Sequence, residues 1–400
     1  MFTTAPKQTQ PVLSDDSGWF QGFHREDGSV GVRNHMVVLS TVALTNRWAE
    51  LAAEENTEAY VLSGDFLRGL RGEDAAVQDT VLRTFVTHPN VGATLILCFD
   101  RVSGKSWRDW AKSVGRPVEV LTMIEQDGMS AAVQHARQAL ARLDTERQKA
   151  SRKPAPLSAL TIALECGGSD ATSALCSNPA VGRFVERVID AGGTAIVSET
   201  AEFIGTEPII EQRAVNDDVR RKIIESISNA DQRMHDDSSR YRGINPTAEN
   251  IEAGLTTLVE KSMGAVCKIG DCKLDGWLAF GEAAGSPGMY FMDTPFFSPI
   301  SLTGMVAARA QIVLFTIGVF NPSGNPIAPT IKICGNSNTI KTWHEAIDLD
   351  VSAVVFGLET LDDSADRIEA SVMNVANGAV TKNESLGDGQ IIIPKTCPLI

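Results

Sequence analysis

From residue 36 onward, short runs of apolar, often β-branched residues alternate with longer segments of helical period, and no other feature constrains the fold of the chain as strongly. A strand whose residues are apolar throughout needs cover on both faces. Helices that join consecutive strands supply it, so the pattern predicts an α/β chain with largely parallel sheets. The first strand covers residues 36–40 and leads into a helix through Trp48 and Ala53. Strands follow at 60–62, 94–99 and 118–123, with helices over 76–85 and 107–114 between them. Met129, Val133, Ala136, Leu140 and Leu143 then recur at three- and four-residue steps, giving the next helix one apolar stripe.

That helix runs out in the charged stretch 144–153 and in Pro154-Ala155-Pro156, the sharpest compositional shift in the chain and the expected domain boundary. A second series starts with a strand at 160–164, continues through a helix after Asn178-Pro179 and a strand at 194–197, and reaches a long polar helix over 208–234. Beyond Asn245, strands at 290–292, 312–316 and 330–333 are separated by loops rich in Gly, Pro and Asn, and a helix near 362–377 closes the series. The expected organisation is two successive α/β domains with largely parallel sheets and a loop-rich C-terminal region. A flexible tail covers 1–19, an N-terminal domain 20–153 and a catalytic domain 157–400. A chain of 400 residues is long enough for each domain to hold its own core.

Fifty acidic against 36 basic residues leave a net charge of −14, which argues against a general affinity for nucleic acid or an anionic membrane. Seven cysteines in a chain this long make no disulfide framework. The polar start has no basic, apolar leader, and the longest apolar runs are about half the ~20 residues a membrane helix needs, so a cytoplasmic location is expected. Several familiar chemistries fail on spacing. No Gly-x-Gly-x-x-Gly follows a strand, and Gly104-Lys105-Ser106 has Phe99 where a P-loop needs its first glycine. Ala171 replaces the last glycine of a nucleophile elbow, His344-Glu345 lacks the second zincin histidine, and no Cys-x-x-Cys occurs.

What remains is a set of polar loops at strand ends. Arg33-Asn34-His35 precedes the first strand; a guanidinium can grip a carboxylate bidentately and an imidazole can carry protons, although a plain surface loop has the same composition. Glu165-Cys166-Gly167-Gly168-Ser169-Asp170 offers a thiol, a carboxylate and an anion-binding nest, or an ordinary turn. Ser198-Glu199-Thr200-Ala201-Glu202 places two carboxylates three residues apart, suited to a divalent ion or to a helix start. Asp293 ends an apolar strand, where an acid is costly unless paired or metal-bound, and Lys261 and Lys332 are isolated bases near turns.

Taken in order, these loops resemble the large catalytic portion of the altronate/galactarate dehydratase family. The resemblance rests on Gly22-Phe23-His24-Arg25-Glu26-Asp27-Gly28 with Gly31-Val32-Arg33-Asn34-His35, on Cys166-Gly167-Gly168-Ser169-Asp170 with Asn178-Pro179, and on Gly192-Gly193-Thr194 leading to Ser198-Glu199-Thr200-Ala201-Glu202. It continues through Asn245-Pro246-Thr247, Gly254-Leu255-Thr256-Thr257, Glu260-Lys261-Ser262, Met292-Asp293-Thr294-Pro295 and Pro329-Thr330-Ile331-Lys332, spanning about residues 20–390. It implies a lyase that removes water from a sugar acid or other hydroxycarboxylic acid to give a 2-keto-3-deoxy acid, with a divalent metal, typically Fe(II), or Mn or Mg in its place. It also implies a homo-oligomer and a small β-rich SAF domain, for which residues 1–19 are too short; a separate SAF-type subunit is the expected partner.

Cys334 in Ile333-Cys334-Gly335-Asn336, and Ile347-Asp348-Leu349-Asp350-Val351-Ser352, look more like the split-subunit sulfo-lyase branch, which expels sulfite from sulfolactate. Met292-Asp293-Thr294-Pro295 and Leu302-Thr303-Gly304 look like the dehydratase branch. Thr316-Ile317-Gly318-Val319-Phe320-Asn321 lacks the arginine that sugar-acid dehydratases tend to carry there, which opens the way to a smaller or less polar hydroxy acid. A third alternative is a non-catalytic sugar-acid-binding subunit. The expected site takes Cys166, Asp170, Glu199 and Asp293 as metal ligands, and His35, Lys261, Cys166 and Asp170 as catalytic groups. Arg33, Asn34, Gly167, Gly168, Ser169, Thr256, Thr257 and Lys332 bind the anionic substrate in this reading.

Overall fold

The computed structural model describes residues 18–56, 58–236 and 245–396. Residues 1–17 of the expected tail lie outside the described residues, and Trp19 already belongs to the first strand. The chain opens with β1 (Trp19–His24) and β2 (Val30–Gly31). It then alternates β3 (His35–Ser40), α1 (Asn46–Ala53), β4 (Ala59–Leu62), α2 (Gly72–Thr87), β5 (Val91–Cys98), α3 (Arg101–Ala111), β6 (Val118–Thr122) and α4 (Met129–Arg147). Strands β3 to β6 form a parallel sheet in the order β4-β3-β5-β6. Every residue of β3 and β5 is buried, as continuous apolar strands require.

The second series comprises β7 (Lys153–Pro156), β8 (Thr161–Gly167), α5 (Asn178–Asp190), β9 (Thr194–Val197), α6 (Glu207–Arg213), α7 (Asp217–Asp236), α8 (Ala248–Glu252), α9 (Leu258–Ala265), β10 (Gly276–Leu278) and β11 (Gly288–Met292). It ends with α10 (Ser298–Ala307), β12 (Ile312–Ile317), β13 (Thr330–Cys334), α11 (Ser337–Thr342), β14 (Leu349–Asp350), α12 (Leu361–Ala376) and α13 (Lys382–Leu386). Seven of these strands make one parallel sheet, ordered β10-β11-β9-β8-β12-β13-β14.

The layers stack as α–β–α–β–α. Helices α1 and α4 cover the outer face of the four-stranded sheet around Met36, Val38, Leu95 and Leu140. Helices α2 and α10 fill the space between the sheets, with Val81, Phe85, Met305 and Phe315 in one core. Helices α5, α7 and α12 cover the far face of the larger sheet around Phe184, Ile223 and Ile368. The two α/β domains therefore share the middle core.

Two segments differ from the sequence expectation. The boundary at Pro154-Ala155-Pro156 is a strand: β7 pairs antiparallel with β1, Phe20 opposite Ala155, so the segment expected as the domain boundary is tied into a small sheet. Proline fits there because the strand lies at the sheet edge. The single helix expected over 208–234 is two. Val215 N donates to Leu274 O, drawing the chain out of α6, and Asn216 Oδ1 then caps the start of α7 by accepting from Val219 N.

Strand β9 lies on one side of β8 and β12 on the other, so successive connections leave in opposite directions between β8 and β12. The carboxyl ends of parallel strands open into a crevice at such a switch point.

Candidate active site

Successive residues of a strand face opposite sides of its sheet, so Glu165 and Cys166 at the end of β8 diverge. The Glu165 carboxylate faces α10 and accepts from Ser301 Oγ, while Cys166 faces the other side. The turn after β9 adds Glu199 and Glu202, α9 adds Lys261, and the turn after α9 adds Lys268. Glu202 is the hub: its Oε2 lies 3.0 Å from Cys166 Sγ and 3.1 Å from Lys268 Nζ, and its Oε1 lies 3.1 Å from Lys261 Nζ. Lys268 Nζ is also 3.0 Å from Cys166 Sγ, and Lys261 Nζ donates to Asn245 Oδ1 at 2.8 Å. Glu165, Glu199, Glu202, Lys261 and Lys268 are each at most 5% exposed, an enclosure that unpaired charges do not survive.

The backbone around this cluster is strained. Glu199 has φ 62° and Phe297 φ 136°, left-handed values that non-glycine residues rarely hold, and Phe297 N donates to Glu199 Oε1 at 3.2 Å. Thr294 Oγ1 accepts from Glu199 N and Thr200 Oγ1 donates to Asp293 Oδ1, fixing the two strained turns to each other. The buried Ser198 and Ser262 hydroxyls, next in sequence to Glu199 and Lys261, have no hydrogen-bond partner among the described residues. Strain and unsatisfied polar atoms concentrate where a protein needs a particular arrangement rather than the most stable one.

Charge sorts itself within the cluster. Burial raises Glu165 to about 7, with Lys268 opposing and Glu202 reinforcing the shift. Burial, and then the facing Glu165 and Glu202, push Glu199 well above the ordinary carboxylate range. Burial would raise Glu202 too, but Lys268 and Lys261 outweigh it and hold the group at about 2. Burial would lower both lysines, yet Cys166 and Glu202 beside Lys268, and Glu202 and Glu199 beside Lys261, keep both above the usual lysine value. Burial and Glu202 push the Cys166 thiol up. Near neutral pH the set is thus one carboxylate between two ammonium groups, a thiol, and a Glu165/Glu199 pair that retains protons.

The expected site residues divide into three groups. Cys166, Glu199 and Lys261 belong to the cluster. Asp293 adjoins it through Thr200, and Ser169 Oγ reaches Cys166 Sγ at 3.8 Å. Asp170 turns the other way: its carboxylate accepts from Thr172 Oγ1 and from Asn336 Nδ2 at 2.7 Å. The four expected metal ligands therefore do not meet at one point, and the Lys268 ammonium stands where a cation on Cys166 and Glu202 would sit. Among the described residues no three His, Cys, Asp or Glu side chains are grouped to hold a metal ion. The donor set as folded does not fit the divalent metal.

The remaining expectations are corrected by their surroundings. Arg33 uses all five N–H groups inside the protein: on both oxygens of Glu384, and on the carbonyls of Val32, Val375 and Ala379. It has no donor left for a substrate carboxylate. Asn34 bridges Arg25 and the Arg147 carbonyl. His35 packs against Tyr60 and is pushed down to about 3 by burial and Arg33, so it stays neutral near pH 7. Gly167 and Gly168 form no open nest, because Val319 N donates to Gly168 O and a Cβ on Gly168 would lie 2.3 Å from Val319 O. Thr256 bonds Glu260 and Thr257 caps α9, both exposed. Lys332 donates to the carbonyls of Asn321 and Pro322.

Sequence reasoning missed Lys268, Asn245 and Ser301, and passed over Glu165 and Glu202 although both stand in the loops singled out. Lys268 had one signal: it lies seven residues after Lys261, two helical turns along the same face. A cavity of about 530 Å³ opens beside the cluster. Asn245, Ala201, Thr294 and Phe296 line it, and the Phe296 ring centroid lies 4.6 Å from Lys261 Nζ, so the wall between cavity and cluster is one side chain thick.

Two family models match in chain order: "D-galactarate dehydratase/Altronate hydrolase, second domain" over residues 22–147, and "D-galactarate/Altronate dehydratase, C-terminal" over residues 157–399. The chain is 32% identical to the (2R)-sulfolactate sulfo-lyase subunit beta of Chromohalobacter salexigens over 381 residues, which is 94% of this chain and 97% of that protein. It is 29% identical to the altronate dehydratase of Bacillus subtilis, over 88% of this chain and 72% of that one. Against the galactarate dehydratase (L-threo-forming) of Escherichia coli the identity is 24%, over 94% of this chain and 76% of that one. Models that match both α/β domains in tandem, on the fold that builds this cluster, establish that the chain belongs to the D-galactarate/altronate dehydratase family.

Proposed function

We propose that the chain is a hydro-lyase that eliminates water from a hydroxycarboxylic acid to give a 2-keto-3-deoxy acid. The observation that carries this reading is the Glu165/Glu199 pair, kept partly protonated by burial, facing two ammonium groups at the carboxyl ends of β8 and β9. Elimination needs a base for the C2 proton and an acid for the departing C3 hydroxyl. Two carboxyl groups with raised pKa supply both near neutral pH. The ionised member takes the C2 proton, the electron pair forms C2=C3, the C3–O bond breaks, and the protonated member delivers its proton so that water leaves. The enol then tautomerises to the 2-keto acid. Lys261, the ammonium nearest the cavity, keeps Glu202 ionised and offsets charge on Glu199 when that carboxyl gives up its proton.

Glu199→Gln removes one proton carrier at nearly constant size. 2-Keto acid formation from a panel of hydroxy acids is expected to fall ~10²–10⁴-fold, and wild-type turnover in the variant would sink the reading. Equilibrium dialysis of the full chain against iron(II) is expected to leave it unloaded; one bound equivalent would restore the ligand set expected from the family resemblance.

A second reading is favoured by the similarity to the sulfo-lyase subunit over nearly the whole of both chains. There the same base removes the C2 proton of sulfolactate and sulfite leaves with the bonding pair. Sulfite needs little proton assistance, so sulfite release combined with a small effect of Glu199→Gln would select this reading over dehydration. That relative's description as a beta subunit also supports a small accessory chain as partner, tested by whether turnover depends on adding one.

A further inference from the structure

We infer that the cavity beside the cluster takes a 2,3-dihydroxy acid bearing an apolar substituent on C3, with its carboxylate held by Arg233, in preference to a polyhydroxylated sugar acid. The inference rests on the elimination reading. Its volume of about 530 Å³ lies within the ~300–1,000 Å³ of small-molecule sites. Val77, Met234, Phe280, Pro295, Phe296 and Pro394 supply the larger apolar side chains of its described wall.

The polar groups on that wall are mostly committed elsewhere. Asn245 accepts from Lys261 and donates to the Ala201 carbonyl. Thr294 Oγ1 accepts from Glu199 N, and Thr396 Oγ1 donates to Asp74 at 2.8 Å. Among the described side chains of the wall, two carboxylates keep oxygens for substrate hydroxyls: Glu73, and Asp293 through the oxygen that Thr200 does not use. A six-carbon sugar acid carries a hydroxyl on nearly every carbon, and each one buried without a partner costs ~1–3 kcal/mol. Two neighbouring hydroxyls can each take one of these carboxylates; the further hydroxyls of a sugar acid would lie against the apolar side chains of the described wall.

Arg233 on α7 is the one cationic side chain on the described wall. Glu73, Asp74 and Asp293 share that wall, so a substrate carboxylate is repelled from the rest of the cavity and drawn to Arg233. A guanidinium can hold both carboxylate oxygens at once.

The test measures binding by calorimetry and 2-keto acid formation, on the full chain, for 2,3-dihydroxy-3-phenylpropanoate and 2,3-dihydroxy-4-methylpentanoate against altronate and galactarate. The apolar acids are expected to bind at least ~10-fold more tightly, and Arg233→Ala to weaken that binding by ~10-fold or more while Arg233→Lys recovers part of it. Tighter binding or faster turnover of the sugar acids would overturn the substrate class and leave the elimination reading intact. Unchanged affinity in Arg233→Ala would overturn the carboxylate assignment. Preferential binding of the apolar acids with no 2-keto acid from any of the four would support the cavity preference while removing the elimination reading.

Discussion

Two buried charge constellations, one between the domains and one at the switch point, show opposite habits. Around Arg33 every donor is used, one guanidinium meets one carboxylate, and Glu384 is further held by the Thr381 N–H and hydroxyl. Around Glu202 three carboxyl groups meet two ammonium groups, neighbouring hydroxyls have no partner among the described residues, and two left-handed residues bracket the set. A saturated, neutral pair serves to fix one packing of two domains. An unbalanced, strained and partly unsatisfied set serves chemistry, because moving a proton requires groups whose two protonation states lie close in energy. Both constellations are withdrawn from solvent, so what separates them is satisfaction rather than burial.

The largest expected effect breaks the comparison from the catalytic side. Lys268→Met removes one of the two cations that keep Glu202 ionised, and turnover per folded molecule is expected to fall ~10²–10³-fold, the loss typical of one preorganised charge-stabilising group. Arg33→Met is the mirror experiment. It leaves Glu384 buried without its partner and should cost ~3–5 kcal/mol in denaturant unfolding, yet turnover of the folded fraction should stay within about two-fold of wild type, since this clamp touches neither cavity nor cluster. If Arg33→Met abolished turnover at full stability, the two constellations would not be distinct.

The strands were legible because a parallel strand covered on both faces must be apolar along its whole length, as 94–99 and 312–316 are. The pairing of β1 with β7 was not, since it joins segments more than a hundred residues apart and prolines at 154 and 156 carry the composition of a linker. The site was half legible. Carboxylates that directly follow apolar strands stand out, and Glu199 and Asp293 do. Lys268 reads as a solvated turn lysine until the turn after α9 is seen to hold it beside Cys166. Arg33 misled for a similar reason: its partner Glu384 lies 351 positions away, and local sequence cannot tell a guanidinium waiting for a ligand from one already saturated.

A smaller effect sharpens the comparison through pH. Glu165 is held above its ordinary value of 4.5, at about 7, so it contributes stability that is fully present below 4.5 and is lost as pH rises through 7. Glu384 is held below its ordinary value by Arg33, in spite of burial, so its contribution is present above that value and is lost only in acid. Between pH 5 and 7.5 the clamp is therefore constant while the cluster changes. The stability difference between wild type and Glu165→Gln, from urea midpoints at the two pH values, is expected to shrink toward pH 7.5. A difference that grew with pH would mean that Glu165 is ionised in the folded protein and that no protonated acid waits in the cluster.

The smallest effect concerns how the cluster is held. Thr257 Oγ1 accepts from Glu260 N at the start of α9, the helix that carries Lys261 on its buried side. Thr257→Ala frees that N–H to water and should cost ~1 kcal/mol. Because Lys261 remains tied to Glu202 and Asn245, the helix start can fray without moving the ammonium. Turnover is then expected to change less than two-fold, with KM unchanged, whereas a residue that touches the substrate would shift KM. A large rise in KM would return Thr257 to the substrate-binding role that its place in the family motif implies, and would extend the site from the cavity onto the exposed turn before α9.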